Sequence, residues 1–83
     1  MSAVEQQVIR IVARAAMVPP GTVSRETRLT ALDMDSLDQI ECALAVEEVF
    51  EVELGEPQLW RFRTVGDVVE AVEQAVAAAR PQA

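Results

Sequence analysis

Residues 33–51, DMDSLDQIECALAVEEVFE, have the pattern of a helix with two apolar stripes, and this helix decides how the rest of the chain must be arranged. Successive residues of a helix lie about 100° apart, so residues three and four apart share a face. One stripe is the ordinary core-facing side of an amphipathic helix and consists of Cys42, Val46, Val49 and Phe50. The second stripe lies on roughly the opposite side and consists of Leu37, Ile40 and Leu44.

Carboxylates border the second stripe, namely Asp38, Glu41, Glu47, Glu48 and Glu51. A domain this small cannot easily cover a helix on both sides, and each Leu or Ile left in water forgoes roughly 1.5–3 kcal/mol of burial. An apolar strip framed by one sign of charge is typical of a surface that binds protein partners, because charge guides the approach and apolar side chains supply contact. The alternative is a central helix packed on three sides, with acids that only solvate its rim.

Length and composition predict one small helical domain over residues 1–83, with an ordered core at about residues 3–80. Ala, Val, Leu and Ile dominate, aromatic residues are few, and the alternation typical of strands never runs for long. The single cysteine, Cys42, cannot form an internal disulfide and falls on the inward stripe. With no apolar run of membrane-spanning length and no signal-peptide pattern at the N-terminus, we expect a cytoplasmic monomer.

The net charge of −7 is concentrated in the middle of the chain. All seven arginines lie outside residues 29–60, and that stretch holds nine carboxylates: Asp33, Asp35, Asp38, Glu41, Glu47, Glu48, Glu51, Glu53 and Glu56. This distribution argues against nucleic acid and anionic lipid as partners. It favours proteins that present basic patches.

The rest of the chain predicts two more long helices and a short one. A capping pattern at Ser2 and Glu5 begins a helix that ends at residue 16 or 17, before the prolines at 19 and 20. Residues 22–34 follow as a long loop, which Val23, Leu29 and Leu32 pin to the core. A short helix over residues 57–62 carries Leu59, Trp60 and Phe62. A second capping pattern, at Thr64 and Asp67, begins a last helix that runs as far as Arg80. We therefore expect an all-α fold, a four-helix bundle.

Few residues of this chain could carry out catalysis. It has no His, no Lys, one cysteine expected in the core and no glycine-rich phosphate loop, so the usual general bases and nucleophiles are missing. Asp33 and Asp35 have the spacing that begins a calcium loop, but Leu37 stands where that loop needs an oxygen ligand, which excludes such a site. We expect a protein that is not an enzyme and binds no metal.

Ser36 stands where the long loop enters the central helix. With Gln39 it matches a capping box, in which its hydroxyl would bond a helix amide. Asp35 is an equally good cap one residue earlier, with Asp38 at its third helical position. If Asp35 takes that role, the hydroxyl of Ser36 is free at the helix N-terminus, where the partial positive charge of the helix favours an attached phosphate.

These residues resemble a known family. Asp35-Ser36-Leu37, preceded by Leu32 and followed by Asp38, Ile40 and Glu41, is similar to the D-S-L attachment motif of acyl carrier proteins. The likeness extends to the chain length, the long loop before the motif, the acidic end of the second helix at residues 47–50 and the Thr64-Val65 start of the last. It implies an acyl-carrier-protein-like bundle in which Ser36 carries 4'-phosphopantetheine, whose thiol holds acyl groups as thioesters.

The resemblance also implies roles for the neighbours of Ser36. Asp35 and Leu37 complete the attachment motif, and Leu37, Ile40 and Leu44 match the apolar contacts to partner enzymes. The acids that such carriers present to basic patches on those enzymes correspond to Asp38, Glu41, Glu47 and Glu48. The partners implied are a phosphopantetheinyl transferase, a ketosynthase, an acyltransferase and other acyl-processing enzymes. The family often has glycine three residues before the serine, where this chain has Asp33.

The predicted function is that of a discrete, non-catalytic acyl carrier protein of a dissociated fatty-acid or polyketide pathway. Attached acyl chains would fold back into the bundle between Val46, Leu54, Leu59, Phe62 and Val68. One alternative is a carrier of aminoacyl or peptidyl groups, for which a less acidic second helix is expected. The other is an unmodified helical module whose acidic strip docks on a basic partner.

Overall fold

A computed structural model describes residues 3–54 and 62–79, and within them the chain is all-helical, as predicted. The three α-helices are α1 (Ala3–Ala16), α2 (Ser36–Phe50) and α3 (Val65–Ala79). Two short 3₁₀ turns, Pro20–Thr22 and Leu29–Leu32, lie in the loop between α1 and α2. No strand occurs in these two ranges, and their extended pairing is limited to a bridge between Arg28 and Thr64.

The predicted fourth helix, over residues 57–62, lies outside the described residues except for its last residue, Phe62. That side chain is half-buried and packs on the core. The three long helices are thus confirmed, while the count of four stays a prediction. Ser2, Leu59, Trp60 and Arg80 also lie outside the described residues.

α1 ends at the boundary that the sequence predicts. Met17 adopts a left-handed conformation with φ of 60°, its N–H bonds the carbonyl of Arg14, and the N–H of Val18 bonds the carbonyl of Ala13. This pair of bonds is a Schellman motif, which satisfies helix carbonyls that would otherwise lack donors. The prolines that follow cannot continue the helix, so the chain turns into the long loop.

The fully buried side chains of the core are mostly valines of α1 and α3. Val8 and Val12 of α1 are fully buried, as are four valines of α3: Val65, Val68, Val69 and Val72. α2 contributes two buried residues to this core, Cys42 and Val46. α1 packs extensively against both other helices, whereas α2 and α3 make less contact with each other. Within the described residues, α2 thus packs mainly against α1.

The long loop is pinned to the core as predicted, since Val23 and Leu29 are buried and Leu32 is half-buried. Its backbone is also bonded to the start of α3. The N–H groups of Val65 and Gly66 donate to the carbonyls of Thr27 and Arg25 at 2.9 and 2.8 Å. Amides in the first turn of a helix lack intrahelical partners, so the loop supplies the acceptors that α3 needs.

An ion pair that the sequence did not predict connects the loop to α1. Arg25 Nη1 lies 2.6 Å from Glu5 Oε1, and Nη2 lies 3.5 Å from Glu70 Oε2 on α3. Glu5, expected only as part of a capping pattern, is buried. Arg25 thus connects the loop to both scaffold helices. None of the helices in the described part of the chain is long and apolar enough to cross a membrane.

Candidate functional site

The N-terminus of α2 is capped by Asp35. Its Oδ1 accepts from the N–H of Asp38 at 2.8 Å, and the N–H of Asp35 donates to Oδ2 of Asp38 at 3.3 Å. This reciprocal pair is a capping box, which satisfies two amides at once. Of the two caps that the sequence allowed, Asp35 takes the role.

Ser36 is the first residue of α2, and it is exposed. Its hydroxyl has no hydrogen-bond partner in residues 3–54 and 62–79, because Asp35 has taken the cap. Gln39, its partner in the competing capping pattern, donates instead to the carbonyl of Met34 at 3.3 Å. The hydroxyl of Ser36 is therefore accessible for modification.

The backbone of Asp33 leads from the second 3₁₀ turn towards the start of α2. It ends the second 3₁₀ turn in the left-handed conformation, with φ of 60° and ψ of 30°. Glycine adopts this conformation without strain, and aspartate is among the few other residues that tolerate it. The structure thus explains why glycine suits this position. The next residue, Met34, is buried and anchors the segment just before the site.

The second apolar stripe of α2 is in water, as predicted. Leu37, Ile40 and Leu44 are 61%, 43% and 58% exposed. The alternative of a central helix packed on three sides is therefore wrong. The part that these residues play in partner binding stays a prediction.

The inward stripe is confirmed at Cys42 and Val46, which are buried, and Phe50 is half-buried. The prediction is wrong at Val49, whose side chain is 51% exposed. Val49 lines an open groove between α1 and α2, so the last turn of α2 is not covered on that side. Position on the stripe could not reveal this, since the exposure of Val49 depends on how α1 and α2 pack in the folded chain.

The four acids predicted to face partners are not equivalent. Glu41 and Glu48 are exposed, whereas Asp38 and Glu47 are half-buried and hold parts of the backbone. Asp38 belongs to the capping box. Glu47 Oε2 accepts from the N–H of Leu54 at 2.7 Å, which anchors the segment after α2. Only Glu41 and Glu48 are thus fully available to a partner.

Cys42 is not a nucleophile for this site. Burial raises the pKa of its thiol from 9.0 to about 11, so the reactive thiolate is scarce at neutral pH. The described residues also contain no group of three or more Cys, Asp or Glu side chains that could hold a metal ion. The chemistry available at the α2 N-terminus is therefore that of an exposed hydroxyl.

A family model described as a phosphopantetheine attachment site matches residues 6–72. The chain belongs to this family, that of acyl carrier proteins. It is 38% identical over 78 residues to an acyl carrier protein of Amoebophilus asiaticus, covering 93% of this chain and 98% of that one. An acyl carrier protein of Wolinella succinogenes is 33% identical over 72 residues, which span 86% of this chain and 95% of the relative. One from Coprothermobacter proteolyticus is 48% identical over 42 residues, about half of each chain (51% of both).

The family determines the cofactor and the general role. Acyl carrier proteins are non-catalytic, and they carry covalently attached 4'-phosphopantetheine. The family therefore interacts with phosphopantetheinyl transferases and acyl-processing enzymes. The α2 N-terminus fits this cofactor, because it combines an unbonded hydroxyl with the end of the helix where partial positive charge favours a phosphate.

Proposed function

We propose that Ser36 is the residue of this acyl carrier protein that carries 4'-phosphopantetheine. The observation that supports this is the exposed, unbonded hydroxyl of Ser36, which results from the capping of α2 by Asp35. In the transfer from coenzyme A, Ser36 Oγ forms a bond to the phosphorus of the phosphopantetheine group. The hydroxyl proton and adenosine 3',5'-bisphosphate leave, and the product is a phosphodiester at the surface.

The group attached to Ser36 would supply a thiol on which acyl groups are carried as thioesters to one enzyme after another. We place this cycle in a dissociated fatty-acid or polyketide pathway of the cytoplasm, with the carrier acting as a monomer. The single cysteine, Cys42, is buried and unpaired, as expected of a core residue in a reducing compartment. A net charge of −7 disfavours self-association.

Attached acyl chains enter the bundle near the end of α2 in this proposal. Val46, Leu54 and Val68 are buried, and Phe62 is half-buried against the same core. These apolar side chains would have to separate to admit an acyl chain. Within the described residues α2 and α3 make little contact with each other, and we place the entrance at their junction.

Partner enzymes bind the exposed stripe of α2 in this proposal. Leu37, Ile40 and Leu44 supply apolar contact, and Glu41 and Glu48 attract basic patches on the transferase, the ketosynthase and the acyltransferase. Asp38 and Glu47 add negative potential at this face while holding the backbone. An exposed acid on an apolar strip contributes more to the rate of encounter than to affinity.

Intact mass tests the attachment. Apo protein incubated with coenzyme A and a broad-specificity phosphopantetheinyl transferase should gain one phosphopantetheinyl group, and Ser36→Ala should gain none. Ser24→Ala is the matched control, because Ser24 is also exposed but bonds Thr27. It should be modified like the parent. Modification of Ser36→Ala, or no modification of the parent, would contradict the proposal and leave the unmodified interaction module.

Ser36→Ala should also keep the stability of the parent, since the serine is not the cap. Thermal unfolding followed by circular dichroism checks this, and it separates loss of the attachment atom from loss of the fold. A large drop in melting temperature would mean that Ser36 has a structural role that the geometry does not show.

Charge reversal tests the partner face. Glu41→Lys and Glu48→Lys should each raise the KM of the transferase by about threefold and weaken the salt dependence of the reaction. Glu26→Lys makes the same change in net charge at an exposed loop residue and should leave both quantities near the parent values. Equal effects of all three variants would mean that only net charge matters.

A further inference from the structure

A second exposed apolar surface lies between α1 and α2, and its apolar side chains have no part in the proposed function. It is an open groove of about 940 Å³. Its apolar lining comes from Ile11, Ala15, Met17 and Val18 on one side and from Cys42, Ala45 and Val49 of α2 on the other. The Leu37–Ile40–Leu44 stripe lies on a different side of α2 and does not line this groove.

Two large apolar side chains of the groove stay in water. Met17 is 90% exposed and Val49 is 51% exposed. Met17 also has φ of 60°, a conformation in which glycine would be unstrained and is the usual helix terminator. Stability therefore favours neither an exposed methionine there nor an uncovered valine opposite it. Both side chains are available for contact with another molecule.

The two rims of the groove carry opposite charges. Arg10 and Arg14, one helical turn apart, form the rim on α1, and Asp38 and Glu41 form the rim on α2. Both arginines are exposed, and neither forms an ion pair with any residue in the described ranges. The positive rim is thus available to a ligand, and it stands beside an otherwise acidic helix.

We propose that this groove binds a helix of a partner protein whose apolar face lies between a basic edge and an acidic edge. The basic edge would face Asp38 and Glu41, and carboxylates one turn apart on the other edge would face Arg10 and Arg14. A uniformly basic surface would suit α2 but would be repelled by the two arginines. Arg10 and Arg14 therefore select among partners, which an acidic helix alone does not do.

The occupant is another protein and not a second copy of this chain. Two copies could pair their opposite rims, but each carries a net charge of −7, so long-range repulsion opposes their approach. Glu41 borders both the groove and the Leu37 stripe, so a partner seated in the groove could extend onto the proposed partner face. The groove requires no cofactor on Ser36, and its test is independent of the attachment.

Two stapled helical peptides with the same leucine face test the groove. In the first peptide, two Lys residues one turn apart lie on one edge and two Glu residues one turn apart lie on the other. In the second peptide, Lys residues lie on both edges. The titration uses the Ser36→Ala variant, which lacks the proposed attachment atom. Calorimetry should show that the two-signed peptide binds about fivefold more tightly than the all-basic peptide, although the all-basic peptide carries more positive charge. Equal or tighter binding of the all-basic peptide would overturn the proposal.

Arg14→Gln should remove most of this preference by weakening the two-signed peptide and strengthening the all-basic one. Gln74→Glu changes the net charge by the same amount at an exposed position of α3 and should leave the preference intact. Met17→Gly should weaken both peptides without lowering thermal stability. An unchanged preference in Arg14→Gln, or dimers that sediment with the peptides absent and disappear in Arg14→Gln, would refute the proposed occupant.

Discussion

α2 and α3 are helices of equal length, 15 residues each, that use their apolar side chains in opposite ways. α3 buries four valines completely, whereas α2 buries Cys42 and Val46 and exposes Leu37, Ile40, Leu44 and Val49. α3 is held in place along its face. α2 packs against α1 as α3 does, but within the described residues it makes little contact with α3 and buries fewer side chains. A helix fixed in this way keeps much of its surface for other molecules.

The largest expected effect is the difference in stability loss when one apolar side chain is shortened on α3 and one on α2. Val72→Ala on α3 should lower the free energy of unfolding by about 2 kcal/mol, because it leaves a cavity in the core. Leu44→Ala on α2 removes a larger side chain but should change it by less than about 0.5 kcal/mol, since Leu44 is already in water. Urea unfolding measures both. Comparable losses would show that the exposed stripe is part of the core.

The next prediction concerns two neighbouring glutamates of α2. Glu47→Ala should lower the free energy of unfolding by about 1–1.5 kcal/mol, because it leaves the amide of Leu54 without its charged acceptor. Glu48→Ala, the exposed control one residue away, should have an effect close to zero. Urea unfolding of the pair decides whether the C-terminal end of α2 is held by this bond; equal values would mean that it is not.

Alkaline pH should lower the free energy of unfolding, because α2 places the thiol of Cys42 in the core. The unfolded thiol ionises near its ordinary pKa of 9.0, whereas burial raises the pKa of folded Cys42 to about 11. Above pH 9 the unfolded chain therefore releases a proton that the folded chain retains, and stability falls as the pH rises. The expected loss is about 1 kcal/mol by pH 10.

The sequence makes this pH effect easy to isolate. The chain has no His, Lys or Tyr, so no other side chain has its ordinary pKa in the same range. Urea unfolding at pH 8.5 and pH 10 should show the loss in the parent and not in Cys42→Ala. A loss that persists in Cys42→Ala would place its origin elsewhere.

The smallest expected effect is at the residue that leads into α2. Asp33→Gly should raise the free energy of unfolding by about 0.5 kcal/mol, because glycine relieves the strain of φ at 60°. Asp33→Val should lower it, since β-branched side chains fit this conformation poorly. Thermal unfolding of the pair measures the difference. A destabilised Asp33→Gly would mean that the aspartate side chain stabilises this turn in a way that its backbone conformation does not indicate.

Features set by neighbouring residues could be predicted from the sequence. The capping pattern at Thr64 and Asp67 is present, with the N–H of Asp67 bonding Thr64 Oγ1 and that of Thr64 bonding Asp67 Oδ2, each at 3.2 Å. The N–H groups of Arg63 and Thr64 also hold the pKa of Asp67 below its usual range. These bonds join residues only a few positions apart, and the bounds of α1 and α3 were close to those expected from such local patterns.

Features that join distant residues could not be predicted in this way. Arg25 lies twenty positions after Glu5 in the chain, and their ion pair exists only because the loop folds back on α1. Glu47 and Glu48 are adjacent glutamates of the same helix, yet of the two only Glu47 accepts the hydrogen bond from the N–H of Leu54. Val49 fits the inward stripe but lines an open groove between α1 and α2.

By itself, the sequence determined three long helices, an acidic second helix with an exposed apolar stripe, and the two residues able to cap it. These follow from side-chain spacing and from bonds within a few residues. Only the tertiary structure decided that Asp35 is the cap and Ser36 is free, that two of the four acids hold the backbone, and that a two-signed groove lies beside α1. Those outcomes depend on which distant side chains meet, and packing settles that.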